Sequence, residues 1–369
     1  MKKVKRKVSF FTRLLLVLNA ATAISLLLAY LAPVVDPRTF WPVAFFGLAY
    51  PPLLLLNGIF IVYWLFRRSK WVLISTLAIL VGWNVLLNNI GFSFSGHKDT
   101  KDTGRLRVMT YNVHNFQRYG EEKDSSTRRG ILRIIKETQP DVIGIPEYFS
   151  RSKGVYAMTD SIKAIFKNAS FHFESIIATE REFMGLAIFS AYPMVAKGTV
   201  SIANPNNGNQ CIYADIKYKN GIFRFYSVHL QSIRFDPKDY EYLDTVTKKG
   251  KADLHSTRRL ASKLKQAFIK RAAQVFIIKA HAARCPYPYI IAGDFNDTPT
   301  SFAVNQMAKG LKNTFREKGS GLGRTYNGDF PNYQIDYVMA SPVFDVTGYN
   351  IIQQKLSDHY PVYADMVLK

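Results

Sequence analysis

Polar residues recur at the ends of apolar runs in this chain, and that repetition constrains its fold more than any other feature. Tyr111-Asn112 closes the stretch 106–113, and Glu147 follows 142–145. His229, in Ser-Val-His-Leu, ends 222–228, and Gly-Asp-Phe-Asn at 293–296 follows 289–292. Asp336 lies in Gln-Ile-Asp-Tyr-Val-Met, and Ser-Asp-His occupies 357–359. The runs read as β-strands, and strands that end in Asp, Asn, Glu or His predict one pooled polar site at a sheet edge. Carboxylates with carboxamides suit a hard divalent ion such as Mg²⁺, and histidines suit phosphate and protons. The pattern points to hydrolytic chemistry.

Taken together and in order, these motifs resemble the endonuclease/exonuclease/phosphatase superfamily, in particular its deoxyribonuclease I and neutral sphingomyelinase-like branch. The resemblance covers residues 105–369 and implies an α/β fold, a four-layer α/β/β/α sandwich of two mixed sheets. It also implies roles. Phosphate-ester hydrolysis needs an activated water, neutralised non-bridging oxygens and a stabilised leaving oxygen. By resemblance Asp294 orients or deprotonates the water, and Asn296 donates to the phosphate. His229 acts as acid near the leaving group, and Asp336 holds His359 as a cation at the scissile phosphate.

Glu147 is the expected metal ligand, delivered at the end of an apolar strand, with Asp358 a second metal-side carboxylate. Asn112 supports the metal or the phosphate. Asn112, His229, Asn296 and His359 form the substrate-binding set, and the cofactor implied is Mg²⁺, with Mn²⁺ or Ca²⁺ as alternatives. The family pattern has Gln before its Glu, where this chain has Pro146. Proline removes a backbone donor at that point. Asp294 and Asn296, two apart, share a side if the backbone stays extended, while Asp297 fits an Asx-turn and His114 reads as a surface histidine.

The first quarter of the chain has a different composition. Residues 1–94 hold ten Lys/Arg and one acid, and are otherwise almost continuously apolar. Three stretches, 14–32, 40–66 and 71–94, each reach the roughly 20 apolar residues that a transmembrane helix needs. Trp41, Trp64 and Trp71 stand near their ends, as interfacial aromatics do. The first run exceeds a signal-peptide core of roughly 7–15 residues, and two more runs follow, so a retained anchor is expected. Basic clusters at 2–7 and 67–70 belong on the cytoplasmic side, which places residue 95 onward outside the cytoplasm of an inner or plasma membrane. Pro51-Pro52 interrupts the second stretch; if that stretch dips in and returns, the orientation reverses. Residues 95–105 read as a linker, and 106–369 as the catalytic domain.

The catalytic part keeps 39 basic and 26 acidic residues, an excess that favours an anionic partner, nucleic acid or phospholipid headgroup, beside the bilayer held through 1–94. No obligate protein partner is indicated. Residues 248–271 contain nine Lys/Arg, the second half reading as a helix with Leu260, Leu264 and Phe268 on one face. The preceding stretch, 234–255, reads as a long mobile loop beside His229, and 319–328 as a glycine-rich loop at the substrate rim. Cys211 and Cys285 are the only cysteines, too few for a zinc site or disulfide scaffold. No Gly-x-Ser-x-Gly elbow, P-loop or His-Glu-x-x-His motif offers another chemistry. The competing reading is a catalytically silent receptor or scaffold on the same fold.

Overall fold

The computed structural model describes residues 9–93, 104–117, 125–167, 169–203, 208–328 and 333–369. The basic cluster at 2–7 and most of the expected linker lie outside the described residues. The chain opens with helices α1 (Phe10–Ala29), α2 (Pro37–Phe40), α3 (Pro42–Leu48), α4 (Tyr50–Phe66), α5 (Val72–Val81) and α6 (Trp83–Asn89). A short strand β1 (Gly91–Phe92) follows.

Here the expectation of three continuous membrane helices is corrected. Among the described residues only α1 is by itself long and apolar enough to cross a membrane, and a count of three requires each of two bent pairs to act as one span. The second stretch breaks between α3 and α4 at 61°, and the third between α5 and α6 at 72°. Pro51 and Pro52 sit in the first turn of α4, where a missing N–H costs nothing. The third stretch breaks at Gly82, against which the Tyr30 ring packs so closely that a β-carbon there would lie 1.9 Å from the ring. α5 alone, at 1.5 Å per residue, is only about 15 Å long, half a bilayer core. Trp64 is no interfacial anchor either; it is buried and donates to Asn19 Oδ1 at 2.9 Å. Asn19 in turn donates to Ser75, and Ser75 to Asn57, so one buried polar chain ties α1, α4 and α5 together.

The rest of the chain builds two six-stranded mixed sheets. One contains β2 (Leu106–Thr110), β3 (Val142–Arg151), β4 (Ser170–Ala178), β5 (Glu182–Ser190), β13 (Phe344–Ile351) and β14 (Val362–Leu368), in the order β13-β14-β2-β3-β5-β4. The other contains β6 (Met194–Thr199), β7 (Gln210–Tyr218), β8 (Gly221–His229), β9 (Tyr289–Asp294), β10 (Lys312–Asn313) and β12 (Asp336–Ala340), in the order β10-β12-β9-β8-β7-β6. Each sheet has one parallel pair, β2 with β3 and β8 with β9, among antiparallel neighbours. A two-residue strand β11 (Ser320–Gly321) pairs with β1 and begins the stretch expected as a glycine-rich loop.

Strand alternation explains the layering. Val108, Val142, Ile188, Ile212, Phe225, Ile290 and Val338 meet between the sheets in one buried cluster. Residues of opposite parity face outward. Met109, Ile143 and Phe189 pack under α7 (Ser125–Thr138) and α8 (Met158–Ile165), while Tyr226, Ile291 and Met339 pack under α10 (Leu254–Ala282) and α11 (Phe302–Ala308). Three cores make four layers, as expected. The stretch 234–255 is not a loop: α9 (Pro237–Lys249) fills it, started by an Asp236/Asp239 capping box. A short α12 (Thr314–Lys318) precedes β11. Cys211 is buried in β7 and Cys285 half-buried; both are free thiols.

The helical region is docked on the sandwich. Asn89 donates to Thr300 Oγ1 at 3.0 Å and Arg316 to Asn88 at 3.0 Å, and the rings of Phe45 and Phe268 meet edge-on at 5.5 Å.

Candidate active site

Parity delivers most of the site. Along β9 the inward positions are Ile290 and Ala292, so the next is Asp294; along β8 Phe223 and Phe225 lead to His229, and along β12 Ala340 and Val338 lead back to Asp336. The register lines these ends up, with Asp294 opposite His229 on one side and opposite Asp336 on the other. Gly293 is required there, because a β-carbon would lie 1.9 Å from the Val228 carbonyl oxygen. In the facing sheet Val108 and Thr110 lead to Asn112 in the same way.

Glu147 breaks the rule. With Val142 and Gly144 facing inward, strict alternation would turn residue 147 toward the outer helices. A β-bulge between Ile145 and Tyr148 adds one residue and reverses parity, and Glu147 adopts a left-handed backbone, φ +50°. Tyr148 then joins the outer core that Ile143 and Ile145 line. Pro146, with no N–H to pair, suits the bulge, so it aims Glu147 at the site.

The side chains converge across both sheets. Asn112 is buried and donates through Nδ2 to Glu147 Oε1 at 3.1 Å and to Asp294 Oδ2 at 3.1 Å. His229 Nε2 lies 3.6 Å from Asp294 and 3.8 Å from Glu147. His359 Nδ1 is 2.9 Å from Asp336 Oδ2, and its Nε2 is 3.7 Å from Asp294. Ser357 Oγ donates to the Asn112 carbonyl at 2.9 Å and to Asp358 at 3.1 Å, fixing the Ser-Asp-His turn against the end of β2.

Asn296 is placed differently from the expectation. The chain turns at this residue, φ +53°, and its N–H donates to Asp294 Oδ1 at 2.8 Å. The pair therefore forms an Asx-turn and does not share an extended face; Asn296 still lines the cleft, its amide donating to the Leu230 carbonyl at 3.1 Å. Asp297 pairs with buried Arg271 at 2.9 Å, and both line the same cleft.

His114 is no surface residue. Its Nδ1 sits 3.4 Å from Glu147 and 3.7 Å from Asp358. Three successive left-handed residues, His114, Asn115 and Phe116, turn the chain there. The only signal for this in the sequence is its place two residues after Asn112.

Electrostatics divide the two carboxylates. Burial alone would raise Glu147, but the hydrogen bond from His114, the charge of His229 and the Asn112 amide outweigh it, and its pKa falls to about 2. Asp294 goes the other way: burial and the Asp336 charge raise it to about 6 against the pull of His359 and His229. Burial disfavours the His359 cation, yet the charges of Asp336 and Asp294 and the Asp336 hydrogen bond lift its pKa well above the ordinary value. His114 is raised, first by its hydrogen bond to Glu147.

Two donor groups are relevant to a cation. Asp294, Asp336 and His359 are close enough to hold an ion, but Asp336 and Asp294 hold the His359 ring as a cation with no lone pair to give a metal, so this is a proton-holding cluster. Glu147 is ionised, keeps a third of its side chain open to the cleft and has Asp358 beside His114. Two carboxylates with a carboxamide fit a hard divalent ion.

Residues 109–359 match the model of the endonuclease/exonuclease/phosphatase family, and residues 12–89 match that of a domain of unknown function. No curated protein matches the chain. Among solved structures, a mannosyl-6-phosphatase from Bacteroides thetaiotaomicron is 18% identical, with 71% of this chain and 99% of that one covered and a TM-score of 0.50. A family member from Bacteroides vulgatus is 17% identical over 72% and 99%, with a TM-score of 0.51. The human Nocturnin catalytic domain with bound sulfate is 16% identical over 72% and 94%, also at 0.51. At these identities the structures share the fold; the family model spans two thirds of the sequence and every motif from Asn112 to His359, and the chain belongs to the endonuclease/exonuclease/phosphatase family.

Proposed function

We propose that the protein is a membrane-anchored, divalent-metal-dependent phosphoesterase of the deoxyribonuclease I and sphingomyelinase-like branch, cleaving a phosphate ester by in-line attack of water. One observation carries the reading: a carboxylate raised to about 6, Asp294, touches two histidines, one held as a cation by its own carboxylate. A base near neutral pKa and a fixed cation beside it, here 3.7 Å away, are what water attack on a phosphate requires.

Asp294, oriented by Asn112 and by the Asn296 N–H, takes the proton from the attacking water. His359, held by Asp336, neutralises a non-bridging oxygen. His229, on the neighbouring strand, gives a proton to the leaving oxygen. Glu147 and Asp358, with Asn112 positioning Glu147, would hold the cation, Mg²⁺ by choice of donors; once bound, it would draw charge from the phosphoryl oxygens.

The anchoring reading has its own support. Large apolar side chains cover the outside of the helices, with Phe10, Val17, Ile24, Leu55, Leu65, Leu73 and Val81 all exposed, whereas the polar Asn19, Asn57 and Ser75 are fully buried. A water-soluble bundle has the opposite polarity. The residues 1–94 are the anchor and 106–369 the catalytic domain; with the bent α5–α6 pair taken as one crossing, positive charge at 67–70 puts that domain outside the cytoplasm.

The test is hydrolysis by the full chain in detergent of plasmid DNA, sphingomyelin, phosphatidylinositol phosphates and bis(p-nitrophenyl) phosphate, with Mg²⁺ and with chelator. Metal-dependent turnover lost in Asp294→Asn and His359→Ala is expected. A chain inert on every ester with Mg²⁺, Mn²⁺ and Ca²⁺ would be a silent scaffold.

A further inference from the structure

The cleft over the Asp294–His359 centre has a volume of about 240 Å³ and two unlike sides. Its floor is the polar centre. Its lining also includes an apolar wall, Ile233, Phe235, Leu264 and Phe268 from the sandwich and Leu48 from the N-terminal helices, together with Arg234 and Arg271. Ile233, Phe235, Leu264 and Leu48 are only half-buried, so they keep apolar surface open beside a site built for a phosphate.

The wall spans the junction of the two parts of the chain. Leu48 ends α3, the helix that turns away from α4, and its carbonyl accepts from Tyr333 Oη at 3.2 Å. The ammonium of Lys265 lies 4.8 Å from the Trp41 ring centre, and the Arg38 guanidinium 4.4 Å from that of Phe276. Around this junction Val34, Phe40 and Trp41 remain exposed. The apolar side of the cleft therefore runs into the end of a bundle whose exterior is apolar.

A polynucleotide would need the reverse, cations tracking its backbone and aromatic faces for its bases. Near the wall three cations of α10 are committed to carboxylates, Arg259 to Asp239 at 2.8 Å, Lys263 to Asp236 at 2.7 Å and Arg271 to Asp297 at 2.9 Å, and Lys265 lies on the Trp41 ring. Phe235 is likewise packed edge-on against Tyr240, at 5.6 Å.

We infer that the substrate is an amphiphile, a phosphate ester of a long apolar chain taken from the bilayer surface, with its phosphate at Asp294 and His359 and its first methylenes along the Leu48–Phe235–Leu264 wall. A cleft smaller than the roughly 300 Å³ of a typical small-ligand pocket holds the ester and the start of the chain, leaving the rest in the membrane. The inference rests on the phosphoesterase reading for the phosphate's place, but it is tested by binding.

The full chain in phosphatidylcholine nanodiscs is irradiated with a dodecyl phosphate carrying a diazirine among the first methylenes after the phosphate, and the labelled peptides are identified by mass spectrometry. Labelling should fall in 232–240 and 264–268. Excess dodecyl phosphate should reduce it at least tenfold, and butyl phosphate should not. Phe235→Ser and Leu264→Ser, at half-exposed positions, should each reduce it severalfold. Labelling confined to the outer faces of the helices overturns the inference. So does competition by a single-stranded oligonucleotide as strong as that by dodecyl phosphate, which would make the cleft a nucleic-acid site. Bis(p-nitrophenyl) phosphate hydrolysis in the same sample separates the two readings. Cleft labelling without hydrolysis supports the amphiphile and refutes the esterase; hydrolysis without cleft labelling refutes the amphiphile alone.

Discussion

Asp336→Asn isolates the charge that keeps His359 protonated. The two side chains lie 2.9 Å apart and are almost wholly buried. Burial pulls the imidazole pKa down, while Asp336, Asp294 and Asp358 hold it well above 6.5. Asparagine keeps the shape and can accept a neutral hydrogen bond from Nδ1, but it removes the nearest negative charge. If the pKa falls only to its ordinary ~6.5, the imidazolium fraction is about one half at pH 6.5 and about 3% at pH 8. The variant should then lose about 2-fold in rate at pH 6.5 and about 30-fold at pH 8, the latter about 2 kcal/mol of transition-state stabilisation. The sign is fixed by linkage. A histidine with a raised folded pKa carries its charge, and the stability that goes with it, below its ordinary pKa and loses both as pH rises through the folded value. The assay is turnover of bis(p-nitrophenyl) phosphate by the full chain between pH 6 and 8.5 at saturating metal. His359→Ala should abolish most activity at every pH, and the double variant should be little worse, because the residues act as one unit. A rate loss that is flat with pH, or additive losses in the cycle, would refute the reasoning.

Glu147→Gln should weaken divalent-ion binding by tenfold or more and lower the melting temperature of the ion-free protein at neutral pH, because the ionised carboxylate held by His114 and His229 is lost; calorimetric titration with Mn²⁺ decides, and unchanged affinity removes Glu147 from the ion site. Asp294→Asn should abolish turnover yet stabilise the ion-free fold. A buried carboxyl whose pKa is raised to about 6 favours folding only below its ordinary value. Replacing it should therefore gain about 2–3 kcal/mol at pH 8, from ~1.36 kcal/mol per pH unit above ~3.9, and little near pH 4. A lower melting temperature at pH 8 would contradict this. Arg107 grips Asp365 through two bonds of 2.7 and 2.8 Å and donates to the Thr138 carbonyl at 2.9 Å, all buried. Arg107→Leu should cost about 3–5 kcal/mol by stranding Asp365, and Arg107→Leu with Asp365→Leu should recover part of it in denaturant melts. Reporter fusions after residue 93 should be active only outside the cytoplasm; cytoplasmic activity alone would reverse the proposed orientation.

What the sequence determined by itself is whatever depends on short-range alternation. Ile290, Ala292 and Asp294 must share a face, as must Phe223, Phe225 and His229, so inward apolar residues and inward polar ends were legible together. The pooling of Asn112, Asp294, Asp336 and His359 at a sheet edge follows from strand ends of that kind, while two sheets and four layers were implied by the family resemblance that the motif order carries. Only the tertiary structure decided the exceptions. The bulge that turns Glu147 inward depends on pairing with β5, a strand some forty residues away, so local alternation aims this residue wrongly. His114 enters the site because Glu147 and Asp358 meet there from other elements. The third apolar stretch is continuous in composition, yet it bends at Gly82 where Tyr30 of another helix packs. Likewise α9 rests on its Asp239 bonds to Arg259 and Lys263 of α10. Periodicity records which neighbours a residue has along its own strand or helix. Contacts between elements distant in the chain leave no such record, and it is these that closed the cleft against the end of the apolar bundle.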